Sequence, residues 1–144
     1  MLDVYLKGVS AMITGVGLDL CEISRIAEMK SRERFLARFF TEAEQAYILG
    51  KGKGADQTLA GMFAAKEAFG KALGGGIDFE MTEVEILHDG HGRPCYALHG
   101  ETAKRAGGDR FHLSVSHEGN MAAAVCVRED FLAKTDEKQY NDGN

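Results

Sequence analysis

Glu67 and Lys71 are four residues apart, so on a helix they share one face. Taken alone, such a pair is a surface ion pair worth about a few tenths of a kcal/mol. Its setting points to more: Ala64, Ala65 and Ala68 keep the neighbourhood small, and Gly74-Gly75-Gly76 follows within a turn. One or two glycines there would be an ordinary helix stop, whereas three together also let backbone N–H groups approach a phosphate closely. Asp19 ends a glycine-rich stretch and can cap the helix that follows. If it faces Glu67 across the fold, the two carboxylates suit Mg²⁺, which takes one or two carboxylates plus water and phosphate oxygens. His117 stands where a strand meets a tight turn, a place more often structural than catalytic. His88, His91, His99 and His112 show no ligand-like pattern and read as surface or strand residues.

The elements that must position these groups follow from periodicity. Ile13 to Leu20 reads as a strand whose glycines signal a close backbone or ligand, with Asp19 at its end. Ile23, Ile26, Met29, Phe35 and Phe39 recur at helical spacing up to Phe40, with Arg25, Lys30, Arg32, Arg34 and Arg38 between them. Thr41-Glu42-Ala43-Glu44 matches a capping box opening a short helix to about Leu49, stopped by Gly50. Lys51 to Gln57 reads as a surface loop, and Thr58 to Leu73 as the strongest helix. Met81 to His88 and the segment from Arg93-Pro94 to Leu98 form a hairpin around Asp89-Gly90-His91-Gly92. A short helix from Glu101 to Ala106 precedes two strands, Phe111 to Ser116 and Met121 to Arg128. The class is α+β.

At 144 residues, with 44% apolar and 27% charged residues, the chain fits one globular domain. A net charge of -5 excludes a general nucleic-acid binder, so any basic site must be local. Cys21, Cys95 and Cys126 are odd in number and widely spaced, which reads as reduced, packed thiols in the cytoplasm rather than disulfides or zinc. No stretch reads as a signal peptide or membrane span. The tail from Glu129 to Asn144 turns polar after Leu132 and is expected to fray.

Four segments occur together in order: Gly15-Val16-Gly17-Leu18-Asp19-Leu20; Phe40-Thr41-Glu42-Ala43-Glu44; Phe63 to Gly74; and Leu113-Ser114-Val115-Ser116-His117. With them the chain closely resembles the holo-[acyl-carrier-protein] synthase family, the small bacterial type of phosphopantetheinyl transferase, over about Met12 to Arg128. The resemblance implies an antiparallel sheet packed against a long central helix. It divides the chain into an N-terminal extension (1–11), a transferase domain (12–128) and a polar tail (129–144), with Met12 as the natural start. It implies transfer of the 4′-phosphopantetheine group of coenzyme A to a serine of apo acyl carrier protein, in support of fatty acid biosynthesis. Members are trimers with active sites between subunits.

Position by position, the resemblance makes Asp19 and Glu67 the Mg²⁺ ligands and Lys71 the lysine beside the pyrophosphate. Gly74, Gly75 and Gly76 match the backbone around the phosphates, Pro94 a position near the nucleotide, and Ser116 and His117 the strand end lining the coenzyme A site. The proton acceptor is left open between Glu67 and a metal-bound water. Two positions depart from the family pattern: Met62 stands where many relatives carry arginine, and Gly75 replaces the threonine of Gly-Thr-Gly. Carrier proteins of this kind are acidic, so Arg25, Arg32 and Arg34, with Met29 and Phe35 as apolar anchors, form the expected docking helix. The alternative is a non-catalytic module that binds coenzyme A or a carrier protein without transfer.

Overall fold

A computed structural model describes residues 9–133; of the two expected flanks, residues 1–8 and 134–144 lie outside the described residues. The elements run β1 (Val9–Glu22), α1 (Ile23–Ala27), α2 (Arg32–Phe39), α3 (Glu42–Leu49), α4 (Ala55–Leu73), β2 (Val84–His88), β3 (Pro94–Leu98), α5 (Gly100–Ala106), β4 (Arg110–Glu118) and β5 (Met121–Ala133). One antiparallel sheet has the order β1-β5-β4, and β2 and β3 form a separate hairpin. The expected α+β architecture, an antiparallel sheet against the long helix α4, is the one observed.

Small residues set the distance between α4 and that sheet. The helix buries Ala64, Ala65, Ala68 and Ala72, while β5 presents Ala122, Ala124 and Cys126. On β1, a Cβ added to Gly17 would lie 1.8 Å from the Ala68 carbonyl oxygen, and one added to Gly15 would lie 2.1 Å from that of Ala72. Neither position admits a side chain without pushing the helix off the sheet. The glycines of the first strand therefore mark a close backbone. Because side chains alternate along a strand, Asp19 shares the face of Gly15 and Gly17 and is aimed at the same helix.

A buried ion pair ties the remaining elements to α4. Thr41 and Glu44 form the expected capping box of α3: Thr41 N–H donates to Glu44 Oε1 at 2.9 Å, and Glu44 N–H donates to Thr41 Oγ1 at 3.2 Å. Glu44 Oε1 also accepts from Lys66 Nζ at 2.7 Å, and both side chains are fully buried. Lys66 donates further to the carbonyls of Phe39 and Met81, each at 2.8 Å, and Ile86 N–H donates to Glu44 Oε2 at 3.1 Å. Two charges thus join α2, α3, α4 and the entry to β2.

The structure departs from the periodicity in four places. The basic stretch from Ile23 to Phe40 is two helices, α1 and α2, not one. On a single helix Ile26 and Leu36, ten residues apart, would point about 80° apart around the axis; the break lets both enter the core. Helix α4 begins at Ala55 after a 3₁₀ turn at Gly52–Gly54, so the expected loop is shorter. Met81–Glu83 is a 3₁₀ turn rather than strand. The sheet also continues beyond Met12 and Arg128, because Val9–Ala11 pairs with Phe131–Ala133 across a bulge at Ile13/Gly15.

On β1 and β5 the opposite face of the sheet is apolar, whereas β4 adds His112, Ser114 and Ser116 to it. Val16, Leu18 and Leu20 stand 59–61% exposed, opposite Val127, Val125 and Ala123, with Met12 and Ile13 continuing the stripe. A contiguous apolar patch of this kind marks an interaction surface.

Candidate active site

The tight seam between β1 and α4 brings Asp19, Glu67 and Lys71 together. Lys71 Nζ donates to the Leu18 carbonyl at 2.8 Å and to Asp19 Oδ1 at 3.1 Å. The Lys71 side chain is half exposed and Asp19 is largely covered, so the ammonium is pinned at its strand side and open to solvent beyond. Asp19 Oδ2 is buried, and the Asp19 carboxyl lies within hydrogen-bond reach of the Glu67 carboxyl. Two carboxyls buried against one another carry an electrostatic cost when both are ionised, which a proton or a cation between them relieves.

Glu67 experiences the same crowding. Its carboxyl is pushed up to about 7, first by burial and then by the adjacent Asp19 carboxylate, with Lys71 and Arg25 pulling the other way. Two carboxylates that resist ionising together are what a divalent cation relieves. Among the described residues no group of three or more His, Cys, Asp or Glu is placed to hold a metal ion, so the protein donors here are this pair of carboxylates. That suits an ion that keeps waters and substrate oxygens in its shell, as Mg²⁺ does. Cys21, near both acids, has its thiol pushed up by burial, and the neighbouring carboxylates add to the effect. Of the three thiols Cys126 is buried, but Cys95 is exposed on β3, contrary to the expectation that all are packed.

Helix α4 ends above this cluster in Gly74, Gly75 and Gly76, with φ of 87°, 104° and 68°. Three successive left-handed residues are accessible to glycine and strained for other types. Arg105 of α5 donates to the Asp78 carbonyl, and its guanidinium lies 3.9 Å from where a Gly75 Cβ would stand. Nothing in the spacing of the sequence linked Arg105 to the glycine turn.

Pro94 and His117 lie elsewhere, in a cavity of about 290 Å³ against the first half of α4. Met62 and Gly61 line it from the helix, and Tyr47, Lys51 and His88 from the side. The Tyr47 and His88 rings stack at 4.0 Å and 9°, and Lys51 Nζ lies 4.6 Å above the Tyr47 ring. Burial, and then the charge of Lys51, push the His88 imidazole below its ordinary value. Read from sequence as a surface or strand residue, His88 is a wall of this cavity; no local signal relates it to Tyr47, 41 residues earlier. Ser116 is exposed on β4 beside His117.

The expected docking residues sit on α1, the turn after it and α2. Arg25 and Arg34 are exposed, whereas Arg32 pairs with Asp56. Met29 and Phe35 pack partly against the core, the Phe35 ring lying tilted against those of Phe39 at 4.8 Å and Phe63 at 5.1 Å. Arg25 lies close enough to Glu67 to favour its ionised form.

Residues 15–126 match the profile of the 4′-phosphopantetheinyl transferase superfamily. The chain is 43% identical over 122 residues to the holo-[acyl-carrier-protein] synthase of Treponema denticola, covering 82% of this chain and 99% of that one. It is 41% identical to that of Koribacter versatilis over 126 residues, 83% and 100% of the two chains. Among solved structures, the holo-[acyl-carrier-protein] synthase of Neisseria meningitidis superposes with a TM-score of 0.75 at 33% identity, covering 83% of this chain and all of that one. The Helicobacter pylori enzyme, solved in complex with coenzyme A, gives 0.69 at 30% identity, covering 78% and 98%.

Proposed function

Because the chain belongs to the 4′-phosphopantetheinyl transferase superfamily, we infer that Asp19, Glu67 and Lys71 carry its reaction and that the cavity beside Pro94 and His117 holds the nucleotide end of the donor. Like the holo-[acyl-carrier-protein] synthases it is similar to, it transfers the 4′-phosphopantetheine group of coenzyme A to a serine of apo acyl carrier protein. The observation that carries the assignment of roles is the meeting of Lys71, Asp19 and Glu67 across the seam, with the two carboxyls crowded against one another.

The carrier serine oxygen bonds to the β-phosphorus of coenzyme A as the bond from that phosphorus to the bridging oxygen breaks. 3′,5′-Adenosine diphosphate leaves with the electron pair. Asp19 and Glu67 are the residues that would hold Mg²⁺; bound there, it would offset charge gathering on the phosphate oxygens. Lys71, anchored by the Leu18 carbonyl, presents its ammonium to the departing diphosphate. The backbone of Gly74 to Gly76 lies at the same helix end to receive phosphate oxygens. The serine proton leaves to Glu67 directly or through a water that Glu67 holds.

The apolar outer face of the sheet supports a homotrimer with its sites between subunits. Trimer formation is expected to give three times the chain mass in light scattering, and Val16→Asp to lower that mass and transfer together; a fully active monomer would count against the interface. Arg25 and Arg34 support docking of an acidic carrier on α1 and α2, with Arg32, Met29 and Phe35 shaping the strip, because Arg25 reaches the edge of the Glu67 site. Raising salt is then expected to increase KM for carrier protein several-fold more than KM for coenzyme A. Equal changes would remove the docking assignment. We place the reaction in the cytoplasm, in supply of carrier protein for fatty acid biosynthesis.

Incubation with coenzyme A, Mg²⁺ and apo carrier protein, read by intact mass, tests the function. The carrier is expected to gain one phosphopantetheine; an unchanged carrier with unchanged coenzyme A would indicate a passive binding module. Free phosphopantetheine without carrier would indicate a hydrolase.

A further inference from the structure

Helix α1 cannot hold itself in place. It has five residues, it follows β1 without a loop, and Glu22, the residue before it, gives its first turn no side-chain hydrogen bond. A helix this short is marginal at best on its own in water, and its leading N–H groups need partners. One residue from the turn between β4 and β5 supplies them. Ile23 N–H donates to the Asn120 carbonyl at 2.8 Å, and Ser24 N–H donates to Asn120 Oδ1 at 2.9 Å. Asn120 Nδ2 donates in return to Ser24 Oγ at 2.8 Å. An amide side chain accepts and donates at once, so asparagine fills both halves of this clasp. Asn120 is itself fixed. With Gly119, at φ 56°, it makes the two-residue turn that closes on the Glu118 and Met121 pair, and Met121 pairs in turn with Glu22 of β1.

The clasp orients what α1 carries. Ile26 is buried in the core and fixes the helix at one point. Asn120 fixes it at a second, so the helix cannot swing about the first. Between these anchors stands Arg25, exposed, and close enough to Glu67 and Cys21 for its charge to act on both. Resting on the docking of an acidic carrier assigned above, we propose that Asn120 is a positioning residue for the carrier protein: by capping α1 across the fold, it holds Arg25 at the edge of the Glu67 site.

The test compares Asn120→Ala with the parent in steady-state transfer from coenzyme A to apo carrier protein. Loss of the cap is expected to raise KM for carrier protein about fivefold and to leave KM for coenzyme A within about twofold. A rise in both constants, or in neither, overturns the proposal. Made in an Arg25→Ala background, the same substitution is expected to add less than about twofold, because the contact it positions is already gone. A full additional effect there shows that Asn120 does not act through Arg25 and overturns the proposal as well. If Arg25→Ala alone leaves KM for carrier protein unchanged, the docking reading fails and the proposal falls with it. Ser24→Ala keeps Asn120 and removes only the hydroxyl to which it donates, so it serves where Asn120→Ala does not fold. That variant is expected to raise KM for carrier protein alone by about threefold, and no rise overturns the proposal. Calorimetric titration with apo carrier protein reads the same differences as Kd, without turnover.

Discussion

Glu67→Gln is expected to lower transfer of labelled phosphopantetheine by on the order of a thousandfold, and Asp19→Ala by a similar factor. The reason is that the pair acts as one unit. Glu67 and Asp19 are the two carboxylates that meet at the seam among the described residues, and Lys71 is held in place by Asp19 Oδ1 and the Leu18 carbonyl. Removing either acid would halve the donor set for the divalent cation proposed to sit between them. Neither substitution should unfold the protein. The Glu67 carboxyl is held up at about 7 in the folded chain, above its ordinary carboxylate value. The folded state therefore binds this proton more tightly than the unfolded state, and stability is lost as pH rises through the interval up to about 7. At pH 8 without metal, the Glu67→Gln variant is expected to melt at or above the parent temperature, and at pH 4 close to it. Full transfer activity in Glu67→Gln or Asp19→Ala would sink the assignment of the site. A lower melting temperature for Glu67→Gln at pH 8 would show that the carboxylates are not crowded as described.

Lys66→Met should be the most damaging single substitution for stability. It strands the fully buried Glu44 carboxylate and removes the donor shared by the Phe39 and Met81 carbonyls. Breaking a buried pair in this way costs about 3–5 kcal/mol, a large part of the 5–15 kcal/mol typical of a domain. Thermal unfolding should shift down by about 10 °C or more. The double variant Lys66→Met/Glu44→Leu distinguishes a simple ion pair from a backbone clamp. Replacing a simple buried pair by apolar residues is often neutral. Here the double variant would also strand the N–H groups of Thr41 and Ile86, so it is expected to stay several kcal/mol below the parent. Recovery of parental stability in the double variant would show that the backbone contacts are incidental.

Local chemistry made part of this legible. The capping box at Thr41 and Glu44, the long helix through Glu67 and Lys71 and the glycines of the first strand each announce themselves over a few residues. The second task of Glu44, holding Lys66, depends on a partner 22 residues away and has no local mark. The same holds for the Tyr47–His88 wall and for Arg105 beneath the glycine turn, since aromatic stacking and a guanidinium reaching across a loop leave no periodicity. The break between α1 and α2 was hidden because Ile23, Ile26 and Met29 keep helical spacing into the polar run Lys30 to Arg34. Only the requirement to bury both Ile26 and Leu36 decides it.

The pairing of β1 with β5 has a consequence for how the enzyme is made. Asp19 is seated opposite Ala124, so the strand that carries it finds its ladder partner 105 residues later. A chain emerging from the ribosome can build α3, α4 and the β2–β3 hairpin early, because their contacts are closer in sequence. It cannot close the sheet beneath α4 until β5 has cleared the exit tunnel. Such distant pairings are slow to form, and until they do the stripe at Val16, Leu18 and Leu20 belongs to an unpaired strand with a strong tendency to associate. Synthesis stalled before Met121 should therefore yield an inactive nascent chain that depends on holdase chaperones, even though Glu67 and Lys71 are already translated.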